Sequence, residues 1–213
     1  MPSVILVASY PPREYKDKSD SHEIAAAVKA LAGAIFQRKW DLVFGAHPAI
    51  SPLVLMIARE YGVKHRVIIY QSTYFEHHVS PAVRTLTDEG YGLLEPVLHH
   101  PSELPPGPEE PVNPTQCPKS LASMRNRMMA HPGVSGLVLI GGDTGLRLEL
   151  ELFAARPERL PIIPIGAPGG IARELWPARW MPGMDDALSE EVRSSPNYLT
   201  LMTRLVKYLA ERT

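Results

Sequence analysis

The chain has 213 residues, 45% of them hydrophobic, and a formal net charge of −1. That length fits a single α/β domain with a full core, and the near-neutral charge excludes broad attraction to nucleic acid or membrane, so an anion site has to be a local cluster. Cys117 is the only cysteine, which excludes an intramolecular disulfide framework; with no signal-peptide pattern and no apolar run of spanning length, a cytoplasmic chain is expected.

Val4 to Ala8 is a β-rich run stopped by Ser9-Tyr10-Pro11-Pro12. It reads as a first central strand ending in a loop. In the polar stretch that follows, Arg13, Lys16 and Lys18 are candidate phosphate contacts, with a solvated loop as the alternative. Ser21 is the expected cap of a helix that carries Ile24, Val28, Leu31, Ala32 and Ile35 on one face. Asp41 to Phe44 is a second strand, followed by Gly45-Ala46-His47-Pro48. Ser51 and Pro52 then read as N-cap and first residue of a helix to Tyr61. A strand–loop–helix unit of this kind binds ligands at the strand's C-terminal end. His47 is therefore a candidate for a base or ribose contact, against the alternative of a loop histidine bonded to backbone.

Val67 to Tyr70 is a third strand running into Gln71-Ser72-Thr73-Tyr74-Phe75. Gln71 and Ser72 stand where a strand end offers hydrogen-bonding groups to a ligand. Tyr74 is a candidate for stacking on a base, or with Phe75 for seating the loop on the core. His77-His78 and His99-His100 lack the spacing of a metal site, and no metal is expected. Pro81 to Glu89 reads as a short helix and Leu93 to Leu98 as a weak strand. Seven of the 22 prolines lie between Pro101 and Pro118. Proline removes donors and fixes φ, so this is an irregular surface loop, either a connector or a cover for a ligand mouth or partner subunit.

A helix over about Ser120 to Ala130 carries Arg125 and Arg127, whose guanidinium forks suit phosphate. Gly136 to Ile140 is an apolar run that stops at Gly141-Gly142-Asp143-Thr144-Gly145, the pattern of a buried parallel strand entering a ligand loop. Glycines let backbone amides approach a phosphate closely, and Asp143 or Thr144 can cap a helix whose N-terminus favours an anion. Leu146 to Leu152 alternates strictly, so by period alone a hairpin turning at Asp143-Thr144-Gly145 is an equal reading. Pro161 to Gly166 is a last strand ending in Ala167-Pro168-Gly169-Gly170, a second glycine pair at a strand end. A short helix from Ile171, a loop with a short helix over Met181 to Pro196 and a terminal helix over Tyr198 to Arg212 complete the chain.

Two stretches carry a resemblance. Met124-Arg125-Asn126-Arg127-Met128, then Leu139-Ile140-Gly141-Gly142-Asp143-Thr144-Gly145 and Glu149, resemble the paired motif of LOG-type nucleoside monophosphate phosphoribohydrolases. Those enzymes place PGGxGTxxE after an Arg-containing helix. Here Ile140 replaces the proline, Thr144-Gly145 inverts Gly-Thr, and Glu149 falls one residue late. Phe44 to Leu53 resembles the GGHPxISPL segment of bacterial SLOG sensors, with Ala46 for the second glycine. From about Val4 to Leu175 the chain is thus similar to the SLOG superfamily, which includes nucleotide-sensing domains of TRPM-type channels and bacterial anti-phage systems.

The expected fold is one α/β domain over residues 1–213, a Rossmann-like, doubly wound, mostly parallel sheet flanked by helices; the alternating pattern supports the class independently. The resemblance implies a sensor of a nucleotide-derived ligand, ADP-ribose-like, cyclic ADP-ribose-like or a cyclic nucleotide. Such a sensor regulates an attached or partner effector and forms a homodimer, with no cofactor. Phosphate would sit on the amides of Gly141 to Gly145 with Arg127 as counter-charge. The wider ligand set is Ser9, Tyr10, Gly45, Ala46, His47, Gln71, Ser72, Tyr74, Arg125, Gly169 and Gly170. The alternative is a hydrolase of an N-glycosidic bond, with Glu149 as the catalytic carboxylate and Arg127 holding phosphate. The late position of Glu149 turns its side chain by about 100° on a helix, which favours the sensor. An interaction module with a vestigial pocket is the third class.

Overall fold

A computed structural model describes residues 1–10, 19–142 and 145–212. The strands are β1 (Ser3–Ser9), β2 (Asp41–Gly45), β3 (Val67–Ser72), β4 (Leu93–Val97), β5 (Val134–Gly141) and β6 (Ile162–Ile165). The helices are α1 (Ser21–Gln37), α2 (Ile50–Glu60), α3 (Pro81–Asp88), α4 (Pro118–Met129), α5 (Gly145–Ala154), α6 (Gly170–Glu174), α7 (Asp186–Ser194) and α8 (Tyr198–Ala210). Short 3-10 turns cover Thr73–His78, Pro114–Gln116 and Trp176–Ala178.

The six strands form one sheet in the order β4-β3-β2-β1-β5-β6, and every pairing is parallel. Parallel neighbours need crossover connections, and helices supply them. Alternate residues of each strand enter opposite cores. Val4, Leu6, Leu42, Phe44, Val138 and Ile140 pack with α1, α2, α3, α7 and α8. Ile5, Val7, Val43, Ile68, Leu137 and Leu139 pack with α4, α5 and α6. Both faces are therefore covered, which is why the inner strands read as unbroken apolar runs. Strand β4 lies at the sheet edge and is mostly exposed, the position in a sheet where a proline such as Pro96 is tolerated.

Two expected helix starts shift. Asp20, not Ser21, caps α1, accepting from the amides of His22 at 2.7 Å and Glu23 at 3.3 Å. Helix α2 begins at Ile50 with Ala49 at the cap position. Ser51 instead accepts from the His47 amide at 3.1 Å, which fixes the β2–α2 loop from within the helix.

The hairpin reading of Leu146 to Phe153 gives way to helix α5. A hairpin would return antiparallel to β5, whereas β6 joins β5 in parallel register, Leu137 beside Ile162 through Ile140 beside Ile165. In the helix Leu146, Leu150 and Phe153 are buried, and Leu148 is left half exposed on the outer face. Leucine and glutamate are good helix formers, so propensity agrees with topology against the alternating pattern.

Candidate functional site

The strand order turns back at β1: β2, β3 and β4 lie on one side, β5 and β6 on the other. This is the topological switch point, where the loops after two adjacent strands diverge and open a crevice at their C-terminal ends. A cavity of about 580 Å³ occupies it. Its floor is the end of β1 from Leu6 to Ser9 and the end of β2 at Phe44 and Gly45. One wall is His47, Pro48, Ile50 and Ser51 with Phe75, His78, Val79, Ser80 and Val83; the other is Met124, Arg125 and Met128 of α4 with Gly145, Leu146 and Glu149 of α5.

Most of the lining is apolar, and the charged pair is concentrated in one wall. Arg125 Nε lies 3.3 Å from Glu149 Oε1, and the two side chains are only 19% and 13% exposed. The pair links α4 to α5 one helical turn beyond Gly145. The N-terminus of the ten-residue α5 opens on the same space, adding partial positive charge.

Several expected site residues are brought together. Ser9, Gly45, Ala46, His47, Gln71, Arg125, Gly145 and Glu149 all line the cavity. His47 fits both of its readings, because it lines the cavity while its Nδ1 accepts from the Ala49 amide at 3.2 Å. Glu149 faces the cavity despite its late place in the motif. Asp143, Thr144, Arg13, Lys16 and Lys18 lie outside the described residues.

Others stand elsewhere. Arg127 is exposed and does not line the cavity; Arg125 takes that place. Ser72 is fully buried, and its Oγ accepts from the Tyr74 amide. Tyr74 is buried edge-on against Phe75 at a centroid distance of 5.1 Å, so it seats the loop, and Phe75 presents a ring to the cavity. Tyr10 packs partly buried against the α1-side core.

The two glycine pairs shape the loop from behind. Gly141 pairs with Ser9 across β1 and β5, and the Gly142 amide donates to the Ser9 carbonyl at 2.8 Å. That amide is thus engaged within the fold. Gly141 has φ +64 and Gly170 has φ +67. A Cβ on Gly170 would come within 2.7 Å of the Gly141 carbonyl carbon. Gly169 and Gly170 therefore let α6 back onto the β5 loop, and the Ile171 amide donates to the Gly142 carbonyl at 3.3 Å.

The proline-rich segment is part of the site. Val112 and Pro114 line the cavity. The segment is fastened by Glu103, which is 8% exposed. Its carboxylate accepts from the amides of Lys119 and Ser120, both at 2.8 Å, and from the Ser120 hydroxyl. It thereby caps α4, whose own N-cap residue, Cys117, makes no side-chain cap bond. Burial disfavours the charged form of Glu103, but these hydrogen bonds together with nearby His100 outweigh it, and its pKa is lowered. Burial pushes the Cys117 thiol up to about 11, and Glu103 adds to the shift, so the thiol is protonated at neutral pH. Among the described residues no group of three or more His, Cys, Asp or Glu is placed to hold a metal, and no helix is long and apolar enough to cross a membrane.

A family model described as the SLOG cluster3 family matches residues 14–91 and 112–205. No curated protein matches the chain in sequence. Among solved structures, the chain is similar to TM1055, a structural-genomics target, at TM-score 0.58 and 15% identity, with 97% of this chain and 99% of that one covered. It is also similar to the molybdenum cofactor carrier protein MCP from Chlamydomonas reinhardtii, at TM-score 0.52 and 13% identity, covering 99% of each chain. At these identities the two likenesses show a shared fold.

Proposed function

The chain belongs to the SLOG cluster3 family, and from that premise we propose that it binds a phosphorylated, nucleotide-derived small molecule at the β1–β5 switch point and acts as a sensor. The observation that carries the reading is the Arg125–Glu149 pair, set in the wall of a mainly apolar cavity beside the N-terminus of α5. A guanidinium fork and a helix N-terminus both favour an anion, and apolar walls suit a base. Arg125 engages Glu149 within the chain. An arriving phosphate competes for the same guanidinium and loosens the tie between α4 and α5, which gives a sensor a change to report. ADP-ribose-like, cyclic ADP-ribose-like and cyclic nucleotide ligands, an effector partner, a homodimer, a cytoplasmic setting and a role in bacterial anti-phage defence belong to this proposal. They rest on the family resemblance.

One observation favours the hydrolase as a second reading: Glu149 lines the same cavity as Gly145, so a carboxylate is present where a sugar would lie. Titration calorimetry with AMP, ADP-ribose, cyclic ADP-ribose and cyclic AMP, paired with chromatography for released base, separates the two. Binding without base release supports the sensor. Base release by wild type that Glu149→Gln abolishes, with binding retained, establishes the hydrolase. Neither binding nor turnover across the panel rejects both.

A further inference from the structure

The cavity holds a polar group that neither sequence motif accounts for. His78 ends the turn Thr73–His78 after β3 and lines the cavity beside Phe75, Val79 and Val83. Its Nε2 is buried and has no hydrogen-bond partner among the described residues. The other polar side chains near it are engaged: Ser80 Oγ accepts from the Val83 amide, and Gln71 Nε2 donates to the Ser72 carbonyl. At the β1 end Ser9, 8% exposed, lines the same cavity, and its Oγ also lacks a partner among the described residues. Nearly all buried polar groups in native proteins are satisfied, so two exceptions in one cavity call for an explanation.

We propose that His78 Nε2 is a recognition contact for the heteroaromatic base of the ligand, with Phe75, Val79 and Val83 forming the apolar bed for the ring. Ser9 Oγ serves the sugar or phosphate. The assignment rests on the nucleotide reading above and adds a base subsite to it. Sheet geometry separates the two ends. From β3 to β5 is three strand spacings, β3 to β2 to β1 to β5, or roughly 14 Å at about 4.8 Å each. The segments that carry His78 and Gly145 thus leave the sheet three strands apart, so with an anion at the start of α5 the proposal gives the His78 side to the base. A neutral imidazole donates or accepts according to tautomer, so His78 suits the mixed donor–acceptor edge of a base.

The test is titration calorimetry of wild type and His78→Ala with AMP and ADP-ribose, which carry a base, and ribose 5-phosphate, which does not. His78→Ala is expected to bind the two base-bearing probes about tenfold more weakly, the scale of one hydrogen bond. Its affinity for ribose 5-phosphate stays within about twofold on the same grounds. His78→Gln keeps a donor and an acceptor and recovers part of the loss; His78→Phe keeps a ring without them and recovers none. Unchanged binding of AMP and ADP-ribose by His78→Ala, or an equal loss for all three probes, overturns the base contact and leaves the nucleotide reading standing. Wild type that binds none of the three overturns both.

Discussion

Replacing Arg125 with alanine tests the site at its charged wall. Arg125 Nε sits 3.3 Å from Glu149 Oε1 with the side chains 19% and 13% exposed, so the change has two effects that can be measured apart. The first is on binding. Losing a hydrogen bond to a charged group weakens a phosphate-bearing ligand by about 1.5–3 kcal/mol, roughly 10- to 150-fold. The second is on stability. Breaking a fully buried pair costs about 3–5 kcal/mol, and the residual exposure here brings that to roughly 1–3 kcal/mol. For a chain of this length that lowers Tm by roughly 2–12 °C. Arg125→Ala combined with Glu149→Gln removes the carboxylate's charge as well, so it recovers part of the Tm and none of the affinity. Arg127 is exposed outside the cavity, so Arg127→Ala changes neither. Calorimetry with ADP-ribose and thermal denaturation of the four proteins provide the readouts. The reasoning is refuted by an Arg127→Ala loss of affinity equal to that of Arg125→Ala, or by full affinity in Arg125→Ala.

Gly170→Ala forces a left-handed alanine whose Cβ lies 2.7 Å from the Gly141 carbonyl carbon; chemical denaturation should show a loss of about 2–4 kcal/mol, and an unchanged midpoint would mean α6 does not support the β5 loop. Cys117 is fully buried with its pKa raised to about 11, so a thiol reagent at neutral pH should label it far more slowly in the native protein than in urea; equal rates would contradict its burial. Glu103 has a folded pKa lowered from the usual 4.5, so its contribution is present above the unfolded-chain value and is lost as pH falls through the folded one. Wild type should therefore melt above Glu103→Gln at neutral pH, with the gap closing at acid pH; a gap independent of pH would show that the charge of Glu103 does not fasten the segment.

Much of the fold is legible because apolar period and strand-ending glycines are local signals. β1, β2, β3, β5 and β6 fall within a residue or two of the runs at Val4, Asp41, Val67, Gly136 and Pro161. The strand ends at Ser9, Gly45 and Gln71 meet at the cavity with Gly145 at the start of α5, as the strand-end rule leads one to expect, whereas the β5 end at Gly141 and the β6 end at Gly166 do not line it. The proline segment was legible as irregular, with a connector and a cover for the ligand mouth left as alternatives, and Val112 and Pro114 place it at the cavity. Its position depends on Glu103 reaching the amides of Lys119 and Ser120, sixteen and seventeen residues away. Glu103 sits among prolines with no periodic pattern, so nothing local marks it as a cap. His78 is obscured in the same way: a histidine pair after an aromatic pair has no period that tells which ring turns inward.

The choice between Arg125 and Arg127 was open to a closer reading of α4. At about 100° per residue, Ser120, Leu121, Met124, Met128 and Met129 occupy one half of the helical wheel. Arg125 falls within that half, between Leu121 and Met129, whereas Arg127 falls just beyond its edge. Ser120, Met124, Met128 and Met129 are buried, and Arg125 lies among them with a side chain 19% exposed. A cation inside an apolar arc requires a partner in the protein or in a ligand. Glu149 is that partner here, four residues into α5 from Gly145 and on the α4 side. The late motif position of Glu149 points away from the site only if α5 keeps the roll of the helices that carry the motif in register. Leu146 and Leu150, buried four residues apart, set the roll instead, and they leave Glu149 facing Arg125 across the cavity wall.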